Sequence, residues 1–265
     1  MSALPAELPS AVLHHVDLRG VHTLTLNRPG VFNALSEEVL AGLQLALDAV
    51  TLDGSARVVV IAAQGKAFCA GHNLKDMRAR PELAYYQNLF SQCTKMMLSI
   101  QALPVPVIAR VQGLATAAGC QLVAQCDLAV AASVARFGVN GIDVGLFCAT
   151  PSVPLVRNMP AKQAMEMLLT GEFIGAEDAR LGGLVNRVVA LEALDDEIEA
   201  LVLAILAKPR EAISMGKALF YKQRETGIEA AYQLAGQTMA CNMMHPVAQV
   251  GVQAFIDKRK PQWPV

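Results

Sequence analysis

The stretch Gln112-Gly113-Leu114-Ala115-Thr116-Ala117-Ala118-Gly119-Cys120-Gln121 opens the segment 112–151, and its reading decides the fold. A run of tiny residues, 115–119, leads from a strand into a helix. Where a helix begins on a backbone stripped of side chains, its free N–H groups approach a ligand closely and meet it with the positive end of the dipole, an arrangement that suits an oxyanion. The same run also reads as a small-residue helix start that only lets helix and sheet pack closely. Both readings stand at this point.

Working outward, residues 107–111 form the strand before this turn and 127–132 the strand after its helix. Residues 136–138 begin a short extended piece. Upstream, 12–16 and 21–26 alternate as two strands of a hairpin joined at Arg19-Gly20, and Asn27-Arg28-Pro29-Gly30 ends them. Ser36 is an N-cap followed by Glu37 and Glu38, and Leu40, Leu43, Leu47 and Val50 recur at helical spacing to about Thr51. The β-branched run 57–63 fits a strand buried on both faces. Residues 66–74 read as a loop of small residues, and 83–103 as a long helix closed by Pro104-Val105-Pro106. Strand, turn, helix and strand in alternation predict an α/β fold of βα-type units, although no exact repeat can be counted.

Beyond Pro160, helical patterns cover 163–169, 176–181, 191–206, 209–224, 228–244 and 246–260, with 184–189 strand-like. The division predicted is a core over 1–195 and a helical region over 196–265. Apolar faces in that region, such as Ile213, Leu219 and Phe220 or Val247, Val250 and Phe255, need a partner surface in the same chain or a neighbour.

With 265 residues, 54% of them hydrophobic and 17% charged, an isolated subunit is expected to expose apolar surface that self-association would cover. A net charge of -1 gives no general basic field, so nucleic acid is not an expected partner. The six cysteines form no C-x-x-C pair and no metal-ligand spacing with the five histidines, which predicts reduced, mostly buried thiols and no metal site. Residues 1–10 lack a secretory or transit pattern, and no run of about 18 apolar residues occurs, so a cytoplasmic protein without membrane insertion is expected.

Several motifs in order carry a family resemblance: Asn27-Arg28-Pro29; Ala67-Phe68-Cys69-Ala70-Gly71 with Leu74; Gly113 through Ala118-Gly119-Cys120; Cys126-Asp127; and Phe137-Gly138. Leu168-Leu169-Thr170-Gly171 and Phe255-Ile256 with Lys258-Arg259-Lys260-Pro261 extend it over essentially the whole chain. The sequence resembles the crotonase (enoyl-CoA hydratase/isomerase) superfamily, and within it is similar to the enoyl-CoA hydratase domain-containing protein three branch and its bacterial relatives. The resemblance implies a crotonase-like spiral of ββα repeats with a helical C-terminal trimerisation region, assembled as a homotrimer or a dimer of trimers. It implies an acyl-CoA thioester ligand and fatty acyl-CoA metabolism, with coenzyme A entering as part of the substrate and no permanently bound cofactor. By position, the backbone N–H groups of His72 and Ala118 would hold the thioester oxygen, independently of the His72 imidazole. Contacts to adenosine and pantetheine carry over to Val31, Phe32, Ala70, Asn73 and Leu74. Lys258 would reach phosphate, in its own or a neighbouring subunit, or is simply part of a solvated helix face.

The family's two catalytic glutamates are missing: Gln121 and Gly141 stand at their positions. An amide holds a water but does not take its proton, and glycine supplies nothing. General acids and bases contribute about 10² to 10⁴ each in rate, so weak hydration is expected. In an extended segment Asp143 would face the same side as Gly141 and stand in for the lost carboxylate, or it is a turn residue. Cys148 reads as a buried thiol and Asp127 as structural. Three readings stay open: an acyl-CoA enzyme of other chemistry, such as decarboxylation of a malonyl-type thioester; a silent sequestering or regulatory protein; and a hydratase with residual activity through Gln121.

Overall fold

A computed structural model describes residues 10–263, so all of the reading made on residues 1–10 except Ser10 lies outside the described residues. The predicted hairpin is strands β1 (Val12–Val16) and β2 (Val21–Leu26), paired antiparallel with Val12 opposite Leu26. Helix α1 (Glu37–Leu52) starts where expected: the Ser36 hydroxyl accepts the Val39 N–H at 3.3 Å, and Glu37 and Glu38 sit in the first turn against the helix dipole. Strand β3 (Val58–Ala63) is buried along its whole length. Val59 and Ile61 enter one core and Val58 and Val60 another, as a strand covered on both faces requires.

The chain continues through β4 (Ala67–Cys69), α2 (Leu74–Ala79), α3 (Leu83–Ala102), β5 (Val107–Val111), β6 (Leu114–Thr116), α4 (Ala118–Gln125), β7 (Leu128–Ala132) and β8 (Arg136–Gly138). A 3-10 turn (Asn140–Val144) precedes α5 (Ala149–Asn158), α6 (Ala161–Thr170), β9 (Ile174–Gly175), α7 (Ala176–Leu181) and β10 (Arg187–Val189). Helices α8 (Leu194–Leu206), α9 (Arg210–Arg224), α10 (Ile228–Met244) and α11 (Pro246–Ile256) complete it. The six-stranded sheet has the order β1-β2-β3-β5-β7-β10, parallel from β2 onward, and the four-stranded sheet the order β4-β6-β8-β9. In β3-β4, β5-β6 and β7-β8 the longer strand joins the large sheet and the three-residue strand the small one, which makes the ββα spiral.

Residues 66–74, expected to be a loop, thus contain β4 and enter α2. Strand β6 and helix α5 were likewise not predicted. Three-residue strands are too short to display alternation, and their partners lie far off in sequence.

Helix α8 crosses the division expected at residue 195. Leu194, Ile198, Leu201 and Val202 pack with Val58, Val60, Ile108 and Val130 on the outer face of the large sheet. Helix α9 is fastened by charge: Lys217 Nζ donates to Asp127 Oδ2 at 2.6 Å and to the carbonyls of Ile100 and Val105 at 2.9 Å each. The Tyr221 hydroxyl donates to Asp127 Oδ1 at 2.7 Å, and the Val107 N–H to Oδ2 at 2.7 Å. Asp127 is therefore structural, as read. Burial pushes the Lys217 ammonium down from its usual pKa, and Asp127 works against that shift. Farther on, Tyr232, Met239, Met244, Phe255 and Ile256 are exposed on α10 and α11. Among the described helices none is long and apolar enough to cross a membrane.

Removing one partner of a buried ion pair strands the other charge, at a cost of about 3–5 kcal/mol. Lys217→Met is expected to lose stability on that scale in urea unfolding, and the Asp127→Asn/Lys217→Met double variant to recover part of it.

Candidate functional site

The turn into α4 is built on an unusual backbone. Ala117 takes φ 49° and ψ -120°, a region that a residue with a Cβ rarely enters, and is held there by its N–H bond to the Gly138 carbonyl at 2.9 Å. The first bond of the helix runs from the Gln121 N–H to the Ala117 carbonyl, 3.0 Å, so the Ala118 N–H has no acceptor within the helix. Gly119 lets the helix start press on β4: a Cβ there would stand 2.1 Å from the Cys69 carbonyl oxygen.

The loop carrying His72 meets the same point. The Gly71 carbonyl accepts the Leu35 N–H at 2.7 Å, and a Cβ on Gly71 would lie 3.1 Å from the Ala118 nitrogen and 2.9 Å from the Ala117 Cβ. With φ at 83°, residue 71 needs glycine for its conformation as well as for space. Two buried amides hold the turn between β3 and β4. Asn33 Nδ2 donates to the carbonyls of Gln64 (2.8 Å) and Ala67 (2.9 Å), and Gln112 Nε2 to those of Ala63 (2.9 Å), Gly65 (3.1 Å) and Ala67 (3.1 Å). Sequence reading assigned neither side chain a role, since an amide's carbonyl partners are set only by the fold.

His72 and Ala118 both line a cavity of about 320 Å³, walled largely by Leu74, Met77, Phe90, Val144, Leu146, Phe147 and Pro151. Thr116, Asn140 and Thr150 add polar atoms. No carboxylate is among the lining residues, and the titratable groups there are His72 and Cys148. A larger depression of about 710 Å³ shares none of these residues, and its Arg110 is committed to Asp195 at 2.5 Å.

Burial pushes the His72 imidazole below its usual pKa, which keeps it neutral near pH 7. Its Nδ1 lies 3.2 Å from the Leu35 carbonyl, its Nε2 is buried with no hydrogen-bond partner among the described residues, and its ring meets Phe90 edge-on at 5.5 Å. Burial pushes the Cys148 thiol up, so it is a poor source of thiolate. Five of the six cysteines are buried and all are free.

The residues expected at the acid–base positions divide. Gln121 is buried on α4, one turn beyond Ala118, and its Oε1 has no donor among the described residues. Gly141 lines the cavity with no room for a side chain: a Cβ would stand 2.4 Å from the Leu146 carbonyl oxygen and 2.8 Å from Cys148 Sγ, which accepts the Gly141 N–H at 3.3 Å. Asp143 does not line the cavity. The premise of an extended backbone is corrected, because residues 140–144 form the 3-10 turn, and the Asp143 carboxylate faces Gly171, with Oδ1 2.7 Å from where a Cβ on that glycine would lie.

Of the expected coenzyme contacts, Ala70 and Leu74 line the cavity. The Ala70 N–H donates to the Phe32 carbonyl at 3.0 Å, which brings the exposed Val31 and Phe32 alongside. Asn73 caps α2 through the Lys75 N–H at 3.1 Å, and Lys66 Nζ lies 5.4 Å from the Phe32 ring centre. Lys258 is exposed just after α11 and lines no part of the cavity.

A family model described as enoyl-CoA hydratase/isomerase matches residues 18–264. An "Enoyl-CoA hydratase domain-containing protein 3, mitochondrial" from Xenopus laevis is 45% identical over 244 residues, 92% of this chain and 83% of that protein. A crotonyl-CoA hydratase from Syntrophomonas wolfei is 33% identical over 247 residues, 89% of this chain and 92% of that protein. Among solved structures, an enoyl-CoA hydratase from Mycobacterium smegmatis is 64% identical with a TM-score of 0.94, covering 96% of this chain and 98% of that one. Human enoyl-CoA hydratase domain-containing protein 3 is 42% identical with a TM-score of 0.89, covering 96% and 100%. The spiral is thus the crotonase-like fold. The word "mitochondrial" belongs to the vertebrate relatives and lends no support to the cytoplasmic expectation.

Two outcomes follow from the packing. Gly141→Glu is expected to lose about 1–3 kcal/mol in urea unfolding and to gain no enoyl-CoA hydration over wild type, because the space for its side chain is filled. An unfolded chain takes up a proton on His72 below about pH 6.5, and the folded imidazole resists it. The stability of wild type relative to His72→Gln is therefore expected to be constant above pH 6.5 and to fall as pH drops below it, measured by urea unfolding from pH 8 to about pH 5.

Proposed function

The chain belongs to the enoyl-CoA hydratase/isomerase family, and on that premise we propose that it binds acyl-CoA thioesters, holds the thioester oxygen between the His72 and Ala118 N–H groups, and stabilises an enolate rather than performing ordinary hydration. The observation that carries this reading is a cavity lined by both His72 and Ala118 with no carboxylate among the described lining residues. Hydration needs one group to take a proton from water and another to serve the α-carbon. Gln121 and Gly141 offer neither, and Asp143 faces elsewhere.

The electrostatic part of the chemistry has its donors. A single oxyanion donor contributes on the order of 10² to 10³ in rate. Loss of carbon dioxide from a malonyl-type thioester fits that supply: the bond from the α-carbon to the carboxylate breaks, its electron pair enters the enolate, the amides hold the enolate oxygen, and solvent returns a proton. The apolar walls formed by Phe90, Leu146 and Phe147 would take the acyl chain. The exposed apolar residues of α10 and α11 support self-association as a trimer or a dimer of trimers.

Sequestration without turnover is the second reading, favoured by the neutral imidazole and poorly acidic thiol that are the titratable side chains among the described lining residues. The test is to incubate purified protein with enoyl-, malonyl-type and saturated acyl-CoA thioesters, read products by mass spectrometry, and measure binding in parallel. The proposal expects binding, hydration well below that of hydratases carrying both glutamates, and product from a thioester whose reaction passes through an enolate. Tight binding with no product from any thioester would establish sequestration instead, and rapid hydration would overturn the argument from the missing carboxylates.

A further inference from the structure

Next to the paired amides stands a side-chain donor that neither the acid–base nor the oxyanion roles use. Thr116, buried at the end of β6, donates its hydroxyl to Asn140 Oδ1 at 2.6 Å, and both residues line the cavity. This bond commits the amide oxygen and fixes which way the amide faces. Asn140 Nδ2 is left with its N–H donors, and no acceptor among the described residues is bonded to it. The bond between the Ala117 N–H and the Gly138 carbonyl holds the segment leading to Asn140 against the residue that precedes Ala118. The adjoining Gly141 N–H is already directed to Cys148 Sγ. The polar side of the cavity therefore offers donors from His72, Ala118 and Asn140 and no carboxylate to pair with them.

A donor-rich wall of this kind recognises more than one oxygen. We infer that Asn140 Nδ2, oriented by Thr116, binds a second oxygen carried on the β-carbon of the acyl group, so that the preferred ligand is a β-oxygenated thioester, of the 3-oxoacyl or malonyl type, rather than a plain hydrocarbon acyl thioester. The β-carbon is the attachment point because it follows the thioester carbonyl by two bonds, which keeps the second oxygen beside the first when that one rests on the amides. Asn140 is a binding residue in this account and Thr116 a positioning residue. The inference rests on the acyl-CoA reading above and narrows its ligand.

Calorimetric titration of the intact protein with butanoyl-CoA, acetoacetyl-CoA and malonyl-CoA tests it. A hydrogen bond whose loss leaves a buried partner unpaired is worth about tenfold or more in affinity. Wild type is expected to bind acetoacetyl-CoA or malonyl-CoA about tenfold more tightly than butanoyl-CoA. The ratio of dissociation constants is expected to fall toward one in Asn140→Ala and to an intermediate value in Thr116→Val, where the amide is present but free to turn. Preference for acetoacetyl-CoA would identify a neutral carbonyl as the second oxygen, and preference for malonyl-CoA a carboxylate. Wild type binding butanoyl-CoA as tightly as both others, or a ratio unchanged in Asn140→Ala, overturns the inference and leaves the acyl-CoA reading standing. Failure of all three thioesters to bind overturns both. If Asn140→Ala does not fold, the wild-type ratio and its change in Thr116→Val decide the matter.

Discussion

The contact between the start of α4 and the loop that follows β4 is the constraint on which the site depends. Gly119 lies on the Cys69 carbonyl and Gly71 against the Ala117 Cβ, with Cβ distances of 2.1 Å and 2.9 Å that admit no side chain. Two segments far apart in sequence are thereby pressed together at the point where each presents a main-chain N–H. The strained Ala117 is tolerated because its own N–H is bonded to Gly138 and the helix begins immediately after it. Close packing, one of the two explanations the bare sequence offered for the small residues, is what the glycine contacts show, and it leaves the proposed oxyanion role compatible with the same backbone.

What surrounds this arrangement narrows its chemistry. The sulfur of Cys148 and the carbonyl of Leu146 fill the space into which a side chain at residue 141 would grow, so the whole turn, and not residue 141 alone, excludes a side chain there. The thiol accepts a hydrogen bond from Gly141, which suits its protonated, space-filling role. The imidazole of His72 leans on Phe90 and spends one nitrogen on the Leu35 carbonyl, so its side chain supports the loop that carries it.

Much of this was legible in the residues. The hairpin, the capped α1, the doubly buried β3, the long α3 and the C-terminal helices follow from periodicity and capping, which are local. Strands β4 and β6 escaped because three residues display no period and their pairing is set by the spiral. Motif order pointed to His72, Ala118 and Gly141, which line one cavity, and to Gln121, which is buried on α4 and is not among the lining residues. Of the two readings of Asp143, a turn residue or a stand-in carboxylate, the second rested on an extended backbone where the chain forms a 3-10 turn, with the carboxylate against Gly171. Asn33, Gln112 and the Thr116–Asn140 pair went unassigned for a common reason: a polar side chain's partner is a tertiary fact.

The Asp127 cluster divides the C-terminal helices into two mechanical classes. Its carboxylate gathers bonds from the β5 backbone and from two side chains of α9, and Lys217 adds two carbonyls near the end of α3. Lifting α9 away would expose a carboxylate and an ammonium within the same movement, so α9 opens only with the sheet. Helices α10 and α11 have no buried ion pair of that kind among the described residues. The side chains they bury, Ala231, Val247 and Ala254, are apolar, so these helices are held by packing and not by charge.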